Sequence, residues 1–328
     1  IKTKDGIKIG RNGERRIPPG IIVSGKIKDS TGMEEILSSL RREVGIKSVR
    51  ASLPEEQVYL FKLHLDKEGL INIGESIELA LEEHVPLQAQ DAIFDYEILS
   101  EDKNSLELQV AVISKNVVES YFSIFQRSNI SVRSLELEAQ ALVRAVVKWG
   151  DLGTYMIVDF GERRTGIFIV SRGVTVFTST LDLGGVMLTG MIAKYFNISI
   201  EEAEKMKKQY GLQRNTVNKE LFSVLLNGVS VLGDEIMKHF IYWHTHKDEE
   251  GRNNPPIQKI LLCGGDSNLI GLADYFSFTT KSTVEVANVW INITNIENYV
   301  PSLDFKEALS LATAFGLALG DFDNTNLS

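Results

Sequence analysis

Apolar positions recur along this chain with period two over short stretches and with a helical period over longer ones, and the switches between them outline its parts. Ile1 to Arg16 alternates Ile with Lys around Asp5-Gly6 and Asn12-Gly13. Both dipeptides suit tight turns between paired strands, so a strand meander is expected there. Pro18-Pro19-Gly20 ends that pattern. Met33, Ile36, Leu37 and Leu40 then fall at helical spacing within Met33 to Val44, and Val49 to Leu53 reads as a strand.

A second pattern opens at Val58. Val58, Leu60, Leu63 and Leu65 predict a strand, and a helix follows through Ile77 and Leu81 and stops near Pro86. Two strands, Ala92 to Leu99 and Leu106 to Ile113, flank the charged turn Glu101-Asp102-Lys103-Asn104. Val118, Tyr121, Phe122 and Phe125 set one face of a further helix. The order β-α-β-β-α predicts a small split α/β module over 58–131. The chain then resumes with a strand at Val132 to Leu137 and a helix from Ala139 to Val147.

Further on, Tyr155 to Asp159, Gly166 to Val170 and Val174 to Thr178 predict an antiparallel meander turned at Ser171-Arg172-Gly173. One helix follows Gly184-Gly185, another spans Ile200 to Gln209, and Leu221 to Trp243 is long and amphipathic. Ile260 to Cys263 is an apolar strand running into Gly264-Gly265-Asp266-Ser267. Phe305 to Leu319 has a helical pattern, and the polar end from Asp321 to Ser328 is expected to fray.

Composition narrows the class. With 328 residues, 43% hydrophobic and 24% charged, the chain lies in the range of folded proteins, and its length favours two or more units with separate cores. The formal net charge of −9 and the pI near 5.3 argue against a general grip on nucleic acid, which needs clustered positive charge. Cys263 is the single cysteine, so no intramolecular disulfide forms and a reducing, cytoplasmic setting is expected. Leu309 to Leu319 is too short and too broken by Thr and Gly to cross a bilayer, and no N-terminal segment pairs a basic region with an apolar stretch. A chain that does not itself span a membrane is expected.

Several places offer chemistry, each with a plainer reading beside it. Asp159-Phe160-Gly161 with Thr165 puts a carboxylate at a strand end beside a hairpin whose amides can face phosphate oxygens. That arrangement suits Mg²⁺-linked phosphate binding, while Asp-x-Gly also makes an ordinary turn. Gly264-Gly265, with Gly271 beyond, lets the backbone close on a base or a phosphate, or forms a plain glycine-rich turn. Asp266 argues against direct phosphate contact there. Glu204 and Lys207 stand three apart on one helix face, where carboxylate and ammonium can bracket ribose hydroxyls or simply form a solvated ion pair. Glu136 and Glu138 can orient a water or serve as first-turn acids. Arg163 and Arg164 suit either phosphate or a solvated hairpin tip. His239, His244 and His246 lack an acid partner at zinc spacing and read as helix-end surface residues. Cys263 lies in an apolar strand and no Gly-x-Ser-x-Gly elbow occurs, so no nucleophile is assigned.

Taken in order, Pro18-Pro19-Gly20-Ile21-Ile22-Val23-Ser24-Gly25-Lys26-Ile27-Lys28-Asp29, the βαββα insert, Asp159-Phe160-Gly161, Gly184-Gly185 with Thr189, Ala203-Glu204-x-x-Lys207 and Leu262-Cys263-Gly264-Gly265 closely resemble the PilM family. Its members are actin-like cytoplasmic components of type IV pilus assembly machines, related to FtsA, and the resemblance covers nearly the whole chain. It implies an α/β fold of the actin/Hsp70 type, with two lobes, ATP and Mg²⁺ between them, and an FtsA-type βαββα subdomain. The first lobe would take 1–57, 132–154 and the returning helix 305–328, the insert 58–131, and the second lobe 155–304. By the same resemblance Asp159, Gly161 and Thr165 match the second phosphate loop, with Asp159 the metal-linked acid. Glu204 and Lys207 match the ribose contacts, and Gly264, Gly265 and Ser267 the adenosine loop. Glu138 matches the acid near the attacking water, and a slow ATPase at most is implied. The implied partner is the cytosolic N-terminal tail of a PilN-like inner-membrane protein, docked between the main lobe and the insert. Other pilus subunits and self-association are further implied partners. The chain would then be cytoplasmic, peripheral to the inner membrane through its partners.

The sequence departs from the family pattern at one place. The family opens with a Gly-x-Asp-x-Gly-Ser hairpin, the first phosphate loop, and only Ile1-Lys2 resembles its tail. The natural chain is therefore expected to continue upstream of Ile1, and the present sequence to bind nucleotide weakly or not at all. Two other readings share the scaffold. An FtsA-like membrane-associated filament calls for a basic amphipathic C-terminal helix, where Asp321-Phe322-Asp323-Asn324 is acidic. A sugar or acyl kinase calls for a substrate-side base that no motif supplies.

Overall fold

The computed structural model describes residues 2–3, 6–68, 72–213, 218–247, 251–293, 301 and 303–322. It divides into two compact units, Ile1–Ala141 with Leu317–Asp321, and Leu142–Gly316 with Phe322–Ser328.

The first unit opens with two short antiparallel pairs, β1 (Lys2–Thr3) with β2 (Gly6–Ile7) and β3 (Ile22–Val23) with β4 (Lys26–Ile27). Asp5 of the expected Asp5-Gly6 turn lies outside the described residues. The second hairpin, expected at Asn12-Gly13, does not form. Residues 10–20 are exposed, so alternation there has no surface to bury against, and Gly13 lacks the positive φ such a turn needs. α1 (Ser30–Val44) begins three residues ahead of Met33 because Asp29 caps it, accepting from Gly32 N at 3.0 Å, and it closes on Gly45 at φ 78.

After β5 (Ser48–Leu53) come β6 (Val58–Asp66), α2 (Ile73–His84), β7 (Ala92–Glu101), β8 (Ser105–Ser114) and α3 (Lys115–Arg127), in the order β-α-β-β-α. The three strands form an antiparallel sheet in the order β6-β8-β7, and Ile77 and Leu81 of α2 pack on Leu106, Leu108, Val110 and Val112. The buried face of α3 is rotated from the one expected. Val117 and Ile124 are buried, Val118, Tyr121 and Phe125 are partly so, and Phe122 is 41% exposed. Val117 and Ile124 are two turns apart and share one stripe, which moves Phe122 to its margin. β9 (Ser131–Leu137) then pairs in parallel with β5, and α4 (Glu138–Val146) follows.

In the second unit β10 (Thr154–Phe160), β11 (Thr165–Ser171) and β12 (Val174–Leu181) form the expected antiparallel meander. Its β11–β12 turn has both Arg172 (φ 54) and Gly173 (φ 82) in the left-handed region, matching the twist of the strands. Then come α5 (Gly185–Phe196), α6 (Ile200–Tyr210), α7 (Lys219–Thr245), β13 (Lys259–Cys263), α8 (Leu272–Thr280), β14 (Val284–Val286), α9 (Phe305–Ser310) and α10 (Ala312–Leu319). The sheet order is β12-β11-β10-β13-β14, with β13 and β14 parallel to β10. Met156, Val158 and Phe160 of β10 and Ile260 and Leu262 of β13 are buried with Leu188, Ile192, Leu225, Leu232 and Phe276 of the helices.

The single helix expected over Phe305 to Leu319 is two. Leu311 N bonds to Ala308 O, a three-residue closure that ends α9 before α10 begins. Asp321 does not fray as expected. It accepts from Arg50 at 2.7 Å and from Arg133 at 3.1 Å within the first unit, while 323–328 lie outside the described residues. Among the described residues no helix is long and apolar enough to cross a membrane.

Candidate functional site

Parallel strands β10 and β13 end together, with Asp159 opposite Cys263, so the segments that follow leave the sheet at one edge. In open α/β sheets this carboxyl end is where ligands bind. Gly264 comes next, at φ 85. A Cβ there would lie 2.4 Å from Asp159 Oδ1 and 2.5 Å from Phe160 O, so glycine alone lets the two strand ends close on each other. Gly265 opens the short 3-10 turn Gly265–Asn268. Within it Ser267 is buried, with its hydroxyl donating back to Cys263 O.

That turn delivers Asp266 to the start of α5. The carboxylate rests on Gly185, where any Cβ would sit 2.0 Å from Asp266 Oδ2, and a Cβ on Gly184 would fall 2.4 Å from the backbone of Arg163 and 2.5 Å from Glu162 O. The first amides of α5 are already used. Gly185 N donates to Gly161 O at 3.0 Å and Val186 N to Glu162 O at 2.9 Å, so the β10–β11 hairpin caps the helix. Thr165, fully buried at the other side of that hairpin, donates its hydroxyl to Leu183 O at 2.6 Å.

α6, started by a Ser199/Glu202 capping box, supplies the remaining charges. Lys207 is 3% exposed, and its ammonium reaches Asp266 Oδ1 at 2.7 Å, Glu204 Oε2 at 2.9 Å and Gly185 O at 3.2 Å. An ammonium has three protons, so all are committed within the protein. Glu204 Oε2 also accepts from Thr189 at 2.5 Å, while Glu204 Oε1 faces the exposed Lys208 at 3.2 Å. Burial acts most strongly on both acids, with opposite outcomes. It lifts the Asp266 carboxyl above the usual aspartate range despite Lys207. Glu204 is held below the usual range because the Thr189 hydrogen bond and Lys207 outweigh its burial.

Seven of the residues singled out from the sequence, Asp159, Gly161, Glu204, Lys207, Gly264, Gly265 and Ser267, thus lie on segments that meet at this edge, and Thr165 braces it. Glu138 belongs to the first unit, in the first turn of α4. Glu136 is an ion-pair member there, 2.8 Å from Arg50. The reading of Glu204 and Lys207 as a solvated pair fails, because Lys207 is buried. Arg163 sits exposed at the hairpin tip. His239 is half-buried beside Phe177, and burial lowers its pKa, whereas His244 and His246 bond to the Phe240 and Tyr242 carbonyls of their own helix. Two participants were not assigned from the sequence: Asp266 as the partner of Lys207, and Gly185 as its seat. The signals that could have found them were an acid directly after a strand's Gly-Gly and a second Gly-Gly opening a helix.

Residues 1–322 match the family described as type IV pilus assembly protein PilM. The chain belongs to that family. The structure is similar to the PilM-PilN type IV pilus biogenesis complex, with TM-score 0.74 and 18% identity, over 93% of this chain and 89% of that one. It is similar to MreB5 of Spiroplasma citri bound to ADP, with TM-score 0.58 and 15% identity over 93% and 79% of the two chains. It is also similar to the ethanolamine utilization protein EutJ from Carboxydothermus hydrogenoformans, with TM-score 0.53 and 17% identity over 91% and 77%. Among curated proteins, cell division protein FtsA of Bacillus subtilis is 25% identical over 187 residues, 56% of this chain and 40% of FtsA. The match therefore spans less than half of that relative's length. The fold is actin-like and mixed α/β, and the family is one of type IV pilus assembly.

Proposed function

We propose that this chain is a nucleotide-responsive scaffold of the pilus assembly machinery, which binds Mg-ATP, weakly in the sequence as given, at the edge of the second-unit sheet and docks the cytosolic N-terminal tail of a PilN-like inner-membrane protein. The observation that carries the nucleotide reading is the meeting of four sequence-distant segments, 159–161, 184–189, 204–207 and 264–267, at the carboxyl end of parallel strands. Bound ADP in the similar MreB5 and the PilN-bound state of the similar PilM support the two parts in turn.

The residues present fit such a ligand. Gly264 lets the turn that would carry the base close on β10, and Ser267 pins that turn. Glu204, one-third exposed, would accept from a ribose hydroxyl, with Lys207 holding its carboxylate in place. Gly161 and the hairpin braced by Thr165 would face the phosphates. Asp159 would hold Mg²⁺, which ordinarily takes one or two carboxylates and completes its shell with phosphates and water, supplying charge that offsets the phosphates. Titrating a labelled N-terminal peptide of a PilN-like protein against the chain, with and without Mg-ATP, tests the docking. Saturable binding that tightens with Mg-ATP is expected, and no binding in either condition rejects it.

A further inference from the structure

Charge is divided unevenly along the chain. Residues 1–50 hold 12 Lys and Arg against 6 Asp and Glu, and residues 51–328 hold 23 against 38, so an acidic protein carries one basic segment. The first unit as a whole is acidic, with 18 Lys and Arg against 24 Asp and Glu, but its fold gathers part of the basic charge at one end. Because β5 and β9 run parallel from the pair Ser48↔Ser131, the loops that feed them lie at one end, with the last turns of α1 and α3. Those turns carry Arg41, Arg42 and Arg127, and Lys47 precedes β5. The exposed segment ahead of β3 joins the same end, since Arg11 donates to Val44 O at 3.2 Å and Arg15 pairs with Glu43. Helix ends account for Arg41, Arg42 and Arg127 and for Arg11 on the last carbonyl of α1, and Glu43 accounts for Arg15, but neither explains Lys47 or two such ends side by side.

We infer that this end of the first unit docks directly on an anionic lipid bilayer. This goes beyond the proposed function, in which the membrane is reached only through a protein partner. Cations spread over one end of a unit match phosphates spread over a plane, each Lys or Arg near such a surface strengthening binding about fivefold. Single-stranded nucleic acid fits less well, because residues 1–50 contain no Phe, Tyr or Trp on which a base can stack. Ile17, 37% exposed beside Pro18-Pro19, offers instead an apolar group suited to the headgroup layer.

Sedimentation with vesicles tests this without nucleotide or PilN, so its outcome is separate from the proposed function. The probes are vesicles of phosphatidylcholine alone and of phosphatidylcholine with phosphatidylglycerol at about three to one. The chain is expected to bind the anionic vesicles alone and to be released as salt rises. Replacing Arg42, Lys47 and Arg127 together by Gln is expected to weaken binding about 100-fold, and by Glu still further. Should the Glu variant fail to fold, the Gln variant and the salt dependence of the unaltered chain still decide between docking and no docking. Equal capture by both vesicle types, no capture by either, unchanged binding by a folded triple variant, or binding of a single-stranded oligonucleotide in place of vesicles overturns the inference.

Discussion

Lys207 commits its three protons to Asp266, Glu204 and Gly185 O inside the second unit, so its removal leaves Asp266 without its ion-pair partner and Glu204 with only the exposed Lys208. Lys207→Met is expected to destabilise the chain by about 3–5 kcal/mol, read as a lowered thermal midpoint, with partial recovery when Asp266→Asn is added. The spacing of Glu204 and Lys207 was legible in the sequence. Asp266 was not, because a charge partner 59 residues away leaves no local pattern. Asp321 offers a test of opposite character. The Arg50 hydrogen bond, with Arg133 beside it, holds its carboxyl below the usual range. A depressed folded value means the contribution is present above the unfolded pKa and lost as pH falls through the folded one. Asp321→Asn is therefore expected to cost a few tenths of a kcal/mol at neutral pH, since the pair is largely exposed, and the gap from the parent should close below about pH 4 in melts run across pH.

Strand and helix periods were largely readable: the βαββα order, the β10–β12 meander and the apolar strand β13 follow from alternation and turn residues alone. Two of the failures share a cause, since local patterning does not say which surface is available to bury against. Asn12-Gly13 has none, and α3 turns toward α1 and β9 rather than along its most apolar stripe. At this scale the joint between β10 and β13 is the feature to test. Gly264 combines left-handed backbone with a neighbour 2.4 Å from any added Cβ, whereas Gly150, at φ 79, has nothing within 4 Å. Gly150→Ala is expected to cost about 1 kcal/mol for conformation alone, and Gly264→Ala distinctly more, measured as urea midpoints. Equal costs would mean the two strand ends are not in close contact.

At the scale of the molecule, the order of motifs pointed to the actin-like fold before any single motif was persuasive, because each Gly-Gly or Asp-x-Gly alone also makes a turn. What the order does not encode is how each motif is used. Thr165 and Ser267 turn their hydroxyls into the protein and Lys207 has no proton left over, so these three brace the segments rather than offer a donor to a ligand. Hydrogen–deuterium exchange of the chain, with Mg-ATP raised until exchange stops changing, reports on those segments at any affinity. The account predicts protection concentrated in 159–165, 185–189, 204–207 and 264–267. Unchanged exchange in all four segments, or protection confined to other parts of the chain, would contradict it.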